Sequence, residues 1–297
     1  MRSAGGQRSR WLVGAVIAAF VLLAAAPADA TWSVVGVDPD SGQVGVAVAS
    51  CVELGALNFE DGFELIALSP GVGAGVTQAH FNPSARNAIH RLLDAGVGAD
   101  EIIEAVSGDV EFDSNAQDRQ HGVVLLSGEA AGFTGERNSD VALDVQGVNV
   151  SGQGNILVGR AVIDDAIDAF EVRAGRPLAD RLVAALEAGS LAGGDSRCGD
   201  QTALFAHVSV VDADGASFEP NVVEITMWAE RGDGGNPVLE LAAVYRSGAR
   251  FLTPDAGEVP GPTLPIWVWL ALAAFVALLL GALELLRRAL KSRFGTS

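Results

Sequence analysis

Between Thr31 and Thr263 the chain contains no lysine. Its positive charge there rests on 12 arginines, set against 35 aspartates and glutamates, a net −23. Such a surface repels nucleic acid and anionic lipid, so no nucleic-acid partner is expected; cationic or neutral partners, or a saline habitat, suit it. Histidine is scarce too. His80, His90, His121 and His207 form no i, i+4 pair and no Cys-His spacing, so no metal site is expected. There is no Walker loop and no G-x-S-x-G elbow, and Gly71-Val-Gly73-Ala-Gly75 lacks the third glycine of a dinucleotide fingerprint. No cofactor is expected either. Gly194-Asp195-Ser196-Arg197 lacks the glycine and histidine context of a trypsin-like serine, and Asp212-Ala-Asp214-Gly215 suits a hairpin turn better than a calcium loop.

Long apolar runs occur only at the two ends. Arg2, Arg8 and Arg10 precede an apolar run from Trp11 to Ala26, then Pro27 and Ala28-Asp29-Ala30. That is the order of a secretory signal peptide, and cleavage leaves Thr31 as the mature N-terminus. An uncleaved anchor is the rival, but the run is short for a span and Pro27 stops its helix. At the other end Ile266 to Leu283 is apolar throughout, and Arg287, Arg288, Lys291 and Arg293 follow. At about 1.5 Å per residue the run nearly crosses a hydrocarbon core of about 30 Å, with the basic tail in the cytoplasm. The alternative is a sorting signal that is later removed. The expected organisation is therefore a signal peptide at 1–30, an exported domain at 31–252 and a Pro/Gly-rich linker at 253–263. A transmembrane helix at 264–286 and a basic tail at 287–297 complete it. Export takes Cys51 and Cys198 into an oxidising compartment, where a pair usually forms a disulfide; a free nucleophilic thiol is the other reading.

Within the exported region, Thr31–Val37 and Gln43–Ser50 flank a Pro-Asp-x-Gly turn and read as a hairpin, apolar on both faces and so central in a covered sheet. Strand signals follow over 63–78, then helices over 84–93 and 100–106, the second with Asp100 placed to cap it. A second hairpin spans 122–126 and 130–134. Weaker β signals over 141–150 lead into Ser151-Gly152-Gln153-Gly154-Asn155, read as a loop. Helices over 160–173 and 177–188 come next, then strands over 201–211, 222–228 and 239–245, the last extending the second sheet. This order fits an α+β domain with two stacked sheets between helix layers.

Thr31 is the residue with the most chemistry to offer. A threonine at a mature N-terminus carries nucleophile and base together, because a free α-amine with a pKa of about 7.7–8.0 can take the hydroxyl proton. It also begins a buried-looking strand at once, where most mature exported proteins start with a polar tail. Thr31-Trp-Ser-Val-Val-Gly-Val through Ser50, with Gly73-Ala-Gly-Val-Thr-Gln78, Arg119-Gln120, Phe133-Thr-Gly-Glu136, Gln153-Gly-Asn-Ile-Leu157 and Gly193-Gly-Asp-Ser-Arg197, resembles a bacterial family of uncharacterised function. That family is grouped with the N-terminal nucleophile (Ntn) hydrolase superfamily. The resemblance covers about Thr31 to Ala213.

It implies a four-layer αββα sandwich and amide hydrolysis. Thr31 Oγ1 would attack a carbonyl while backbone N–H groups or the Asn155 amide stabilise the oxyanion. Gln78 and Gln120 would line the cleft, or else complete the backbone's hydrogen bonds. Proteasome-type members place a lysine beside the threonine; here Arg119 or Arg197 could supply the positive field, or neither does. Asp195 and Arg197 could position a substrate carboxylate or amine, or brace their own loop. A Cys51–Cys198 bridge would clamp two loops around the cleft. The ligand implied is a peptide or small-molecule amide, and a homo-oligomer is compatible with the reading. The missing lysine favours a different class, a catalytically silent binding or sensory module on the same fold.

Overall fold

The strand β1 (Thr31–Asp38) pairs antiparallel with β2 (Gln43–Ser50) in full register, Thr31 opposite Ser50 and Asp38 opposite Gln43. The computed structural model that gives this register describes residues 31–53, 62–108, 111–138, 141–217 and 219–252. The signal peptide, linker, transmembrane segment and basic tail read from the sequence lie outside those residues. Among the described residues, no helix is long and apolar enough to cross a membrane.

β1 and β2 occupy the middle of a seven-stranded sheet. Its order is β11 (Phe251–Leu252), β10 (Val223–Trp228), β9 (Phe205–Val211), β2, β1, β8 (Val150–Leu157) and β7 (Val141–Gly147). A four-stranded sheet, β3 (Ile66–Ser69), β4 (Gly73–Ala79), β5 (Arg119–Leu125) and β6 (Ala130–Thr134), packs against it. Helices α1 (Pro83–Asp94) and α2 (Ala99–Ser107) cover the smaller sheet. Helices α3 (Ala161–Glu171), α4 (Leu178–Leu191) and α5 (Pro237–Arg246) cover the larger. The chain is thus an α+β protein, as its order of signals implied.

Side chains of β1 alternate between two cores, as the pleat requires. Trp32 and Val34 join Phe170, Leu182 and Leu186 under the helices. Val35 and Val37 join Val46, Val48, Ile66, Val76 and Val124 between the sheets. Thr31 and Ser33 share the second face, so the between-sheet layer is apolar at one end of β1 and polar at the other.

Three local expectations are corrected. Ser151–Asn155 is part of the buried strand β8, not a loop. Gly152 faces α3 so closely that a Cβ there would lie 3.0 Å from Ile167 Cδ1 and 3.1 Å from Ile163 Cγ2. A side chain here would have to displace those isoleucines by a few tenths of an ångström, while the alternate Ser151, Gln153 and Asn155 face the other sheet. Residues 239–245 lie in helix α5, not in a strand. Asn236 Oδ1 accepts from the N–H groups of Val238 and Leu239 at 3.1 and 3.2 Å, with Pro237 in the first turn, and that cap decides a short apolar run of ambiguous period. The sheet that grows at the C-terminal end is the one holding β1, through β10 and β11. Finally, Gly98 rather than Asp100 stands at the start of α2, where the Glu129 carboxylate accepts from Ala99 N at 2.8 Å.

Two histidines are completely buried in this framework. His207 shares hydrogen bonds with Thr226 Oγ1 at 2.8 Å and Ser209 Oγ at 2.5 Å, while His121 stacks on Phe133 and neither of its ring nitrogens has a hydrogen-bond partner. Burial pushes both pKa values down to about 3. Both rings are therefore neutral in the fold and gain protons on unfolding below about pH 6.5. Their contribution is complete above that pH and is lost as pH falls toward about 3, by roughly 4–5 kcal/mol for each ring at the foot of the window. Urea unfolding across this range should show a steep loss of stability that His121→Leu makes shallower, since no hydrogen bond is removed. Identical pH slopes in the two proteins would contradict this.

Candidate functional site

The polar end of the between-sheet layer is a chain of amides and hydroxyls. Gln120 Nε2 reaches Thr134 Oγ1 at 3.0 Å, Leu143 O at 3.2 Å and Gly154 O at 2.8 Å. Carbonyl oxygens only accept, so this end of the side chain is the NH2 group and Oε1 is the acceptor. Gln120 Oε1 receives Gln78 Nε2 and Asn155 Nδ2, each at 3.0 Å. Gln78 Nε2 also reaches Thr31 O at 3.2 Å and Gln153 O at 3.3 Å, and Gln78 Oε1 accepts from Ser33 Oγ at 2.6 Å. Ser33 Oγ in turn accepts from Gln153 Nε2 at 2.6 Å, and Ser151 Oγ donates to Gln153 Oε1 at 3.1 Å. Backbone carbonyls thus fix the orientation of Gln78, Gln120 and Gln153, whose Nε2 also donates to Ser33 O at 3.1 Å, and Gln120 Oε1 in turn fixes that of Asn155. Gly122 makes room for the chain, because a Cβ there would lie 2.0 Å from Gln153 Oε1.

Thr31 joins this network through its carbonyl oxygen. Its Oγ1 donates to Ser50 Oγ at 3.2 Å across the β1–β2 pair, and only 3% of the residue is exposed. Asn155 is equally buried, and its Oδ1 has no hydrogen-bond partner among the described residues. Among the described residues, the one ionisable side chain hydrogen-bonded into the network is Asp144, which accepts from Thr134 Oγ1 at 2.7 Å at the far edge. The residues that follow Gln78 and Asn155, Ala79 and Ile156, have φ of 66° and 54°. A β-branched residue at positive φ is strained, and such strain gathers where a side chain must be held at a fixed angle. Ser196 secures Ile156 by donating from its N and Oγ to Ile156 O at 3.0 and 2.9 Å.

The charged residues singled out from the sequence are occupied elsewhere. Asp195 is fully buried and accepts a fork from Arg197 Nε and Nη2 at 3.1 and 2.8 Å, together with Arg197 N and Cys51 N, both at 3.0 Å. That is the geometry of a loop brace. The Cys51–Cys198 disulfide, with Cα atoms 5.7 Å apart, ties the residue after Ser50 to the same loop. Arg119 lies on the strand face opposite Gln120, bonded to Asp113 Oδ2 at 2.9 Å and to His80 O. Burial raises the Asp113 pKa, but the bonds from Arg119, Asn115 N–H and Asn82 outweigh it and the net shift is downward. Of the sequence candidates, Thr31, Gln78, Gln120 and Asn155 meet in one network, and Arg119, Asp195 and Arg197 stand outside it. Ser33, Ser50, Ser151, Gln153 and Thr134 belong to the network and were missed. Polar residues alternating at Ser151, Gln153 and Asn155 were the available signal.

A surface depression of about 370 Å³ lies at the other end of β1, between Asp38, Asp40, Asn149, Glu171 and Arg181. It has no residue in common with the amide network. Arg181 lies under it with its guanidinium 3.8 Å from the Phe170 ring centroid, so its burial is met by local packing.

The fold and site define an α+β protein with two facing sheets, helices on both outer sides and a buried network of amides and hydroxyls that Thr31 joins. Over residues 31–226 the sequence matches the family described as "Family of unknown function (DUF1028)", and the chain belongs to that family. The match extends beyond Ala213 into β10. A crystal structure of a protein from Silicibacter pomeroyi, assigned to DUF1028, is similar with a TM-score of 0.58 and 24% identity, covering 76% of this chain and 88% of that one. At that identity the likeness is one of fold. No curated protein matches.

Proposed function

We propose that this protein is an exported amide hydrolase whose nucleophile is Thr31, exposed when the leader is clipped after Ala30. The observation that carries the reading is the placement of Thr31. It begins the central strand, points its hydroxyl into the buried space between two sheets, and coincides with the first residue of the family match. An ordinary mature terminus would trail into solvent.

In this reading the freed α-amine takes the Oγ1 proton as Oγ1 bonds to the substrate carbonyl carbon. The C–N bond then breaks, the amine's proton passes to the leaving nitrogen, and water cleaves the ester left on Thr31. Burial among neutral groups disfavours an ammonium, which does in part what a neighbouring lysine does in proteasome-type enzymes. The resemblance to Ntn hydrolases and the two-sheet packing support the assignment jointly. The C-terminal apolar segment would tether the domain outside the cytoplasm with its basic tail inside. Its ligand would be a peptide or small-molecule amide, and the acidic exterior disfavours nucleic acid. Assembly as a homo-oligomer is compatible with this.

The absence of a lysine supports one other reading, a silent ligand-binding module on the same fold. A β-lactone probe separates the two. Incubated with processed domain and digested for mass spectrometry, it should acylate Thr31, and Thr31→Ala with an unchanged melting curve should carry no adduct. An unlabelled wild type would leave the binding module standing.

A further inference from the structure

We infer that Asn155 holds the Thr31 α-amino group through its side-chain oxygen, as a positioning residue. The inference rests on the proposed role of Thr31. Its first support is the fixed polarity of the network. Gln120 Nε2 is committed to Thr134 Oγ1 and two backbone carbonyls, so Gln120 Oε1 must accept, and Asn155 Nδ2 is the group that donates to it at 3.0 Å. One of the two N–H donors on that nitrogen is therefore committed to Gln120. Asn155 Oδ1 is a buried acceptor with no partner among the described residues. An acceptor repels an oxyanion and attracts an amine.

The second support is strand parity. Val37 N donates to Asn149 O at 3.0 Å, so the N–H of every second residue back along β1 is directed toward β8, and the series Val37, Val35, Ser33 ends at Thr31. The pairing of Trp32 with Gly154 sets Asn155 beside Thr31 on the neighbouring strand. Both side chains lie on the between-sheet face. The Thr31 nitrogen thus leaves β1 toward the strand that carries Asn155, and Gln78 binds both Thr31 O and Gln120 Oε1, drawing the two residues into one cluster.

Among the described residues, the side chains that the hydrogen-bond network brings to Thr31 are uncharged: Ser33 on β1, Ser50 on β2, Gln78 on β4, Gln120 on β5, and Gln153 and Asn155 on β8. The nearest paired charges in the bonding pattern are Asp195 with Arg197, one step behind Cys51 and Ile156, and Asp144, beyond Thr134. Removing the Asn155 oxygen takes a hydrogen-bond acceptor from the ammonium form and lowers the amine's pKa.

The test is to titrate the terminal amine of processed wild type and Asn155→Ala by acylation with acetic anhydride across pH, reading the Thr31 peptide by mass spectrometry. The readout needs no turnover. The amine of Asn155→Ala should titrate at least about half a unit lower. An unmoved amine, with kcat/KM down a hundredfold or more at every pH, is the signature of an oxyanion donor and would overturn the inference. Should Asn155→Ala not fold, a crystal structure of processed wild type decides. The inference requires the Thr31 nitrogen within about 3.2 Å of Asn155 Oδ1, and a nitrogen turned away beyond about 4 Å refutes it. A shifted amine in a wild type that hydrolyses no amide would uphold the positioning role and remove the hydrolase.

Discussion

A processed domain carrying one extra glycine ahead of Thr31 should lose at least about a thousandfold of the amide turnover shown by the form that begins at Thr31, with no change in melting temperature. The extra residue leaves Oγ1 and its bond to Ser50 in place. It converts the α-amine into an amide, which cannot take a proton. Thr31→Ala should show the same loss for the complementary reason, since it keeps the amine and removes the nucleophile. Thr31→Ser keeps both and should retain measurable turnover. The three proteins together separate the amine from the hydroxyl, and turnover in the glycine-extended form would exclude the mechanism whatever the alanine variant did.

The largest effect on stability should come from the disulfide. Cys51 and Cys198 are 147 residues apart in sequence, and in the chain-entropy model closing a loop of that length stabilises the fold by roughly 5 kcal/mol. Replacing both cysteines by alanine should lower the melting temperature by about 10 °C or more. Turnover should fall as well. Cys51 N donates to Asp195, the Asp195–Arg197 fork braces the loop, and Ser196 holds Ile156 at the turn that follows Asn155. Reducing agent should reproduce the stability loss in wild type and leave the double variant unchanged. A melting temperature indifferent to both treatments would mean that Asp195 alone keeps the loop in place.

The parts of this molecule that were legible in its sequence are those where local pattern and tertiary demand agree. Val162, Ile163, Ala166, Ile167 and Phe170 form a helical stripe, and all five are buried on α3. The hairpin of β1 and β2, apolar on both faces, lies at the centre of its sheet because only a covered strand can bury both faces. The candidate site was half legible. Thr31, Gln78, Gln120 and Asn155 could be singled out by type and position, but the strand that carries Asn155 looked like a loop. Gly152 and Gly154 oppose strand formation locally; what imposes it is the close approach of α3 and the partners that Gln153 and Asn155 find on neighbouring strands. Ser33 and Ser50 gave no signal, since a serine inside an apolar strand reveals nothing about the amide that faces it. Arg119, Asp195 and Arg197 show the opposite limit. Their type suggested recognition of a ligand, and only their partners reveal the ion pairs that occupy them.

The central claim is that export leaves a free amine on Thr31. N-terminal sequencing of the mature protein, isolated from the membranes of cells that produce it, addresses this directly. The account predicts a single sequence beginning Thr-Trp-Ser-Val-Val. A mature chain that begins at any other residue, or that retains the leader, would contradict it.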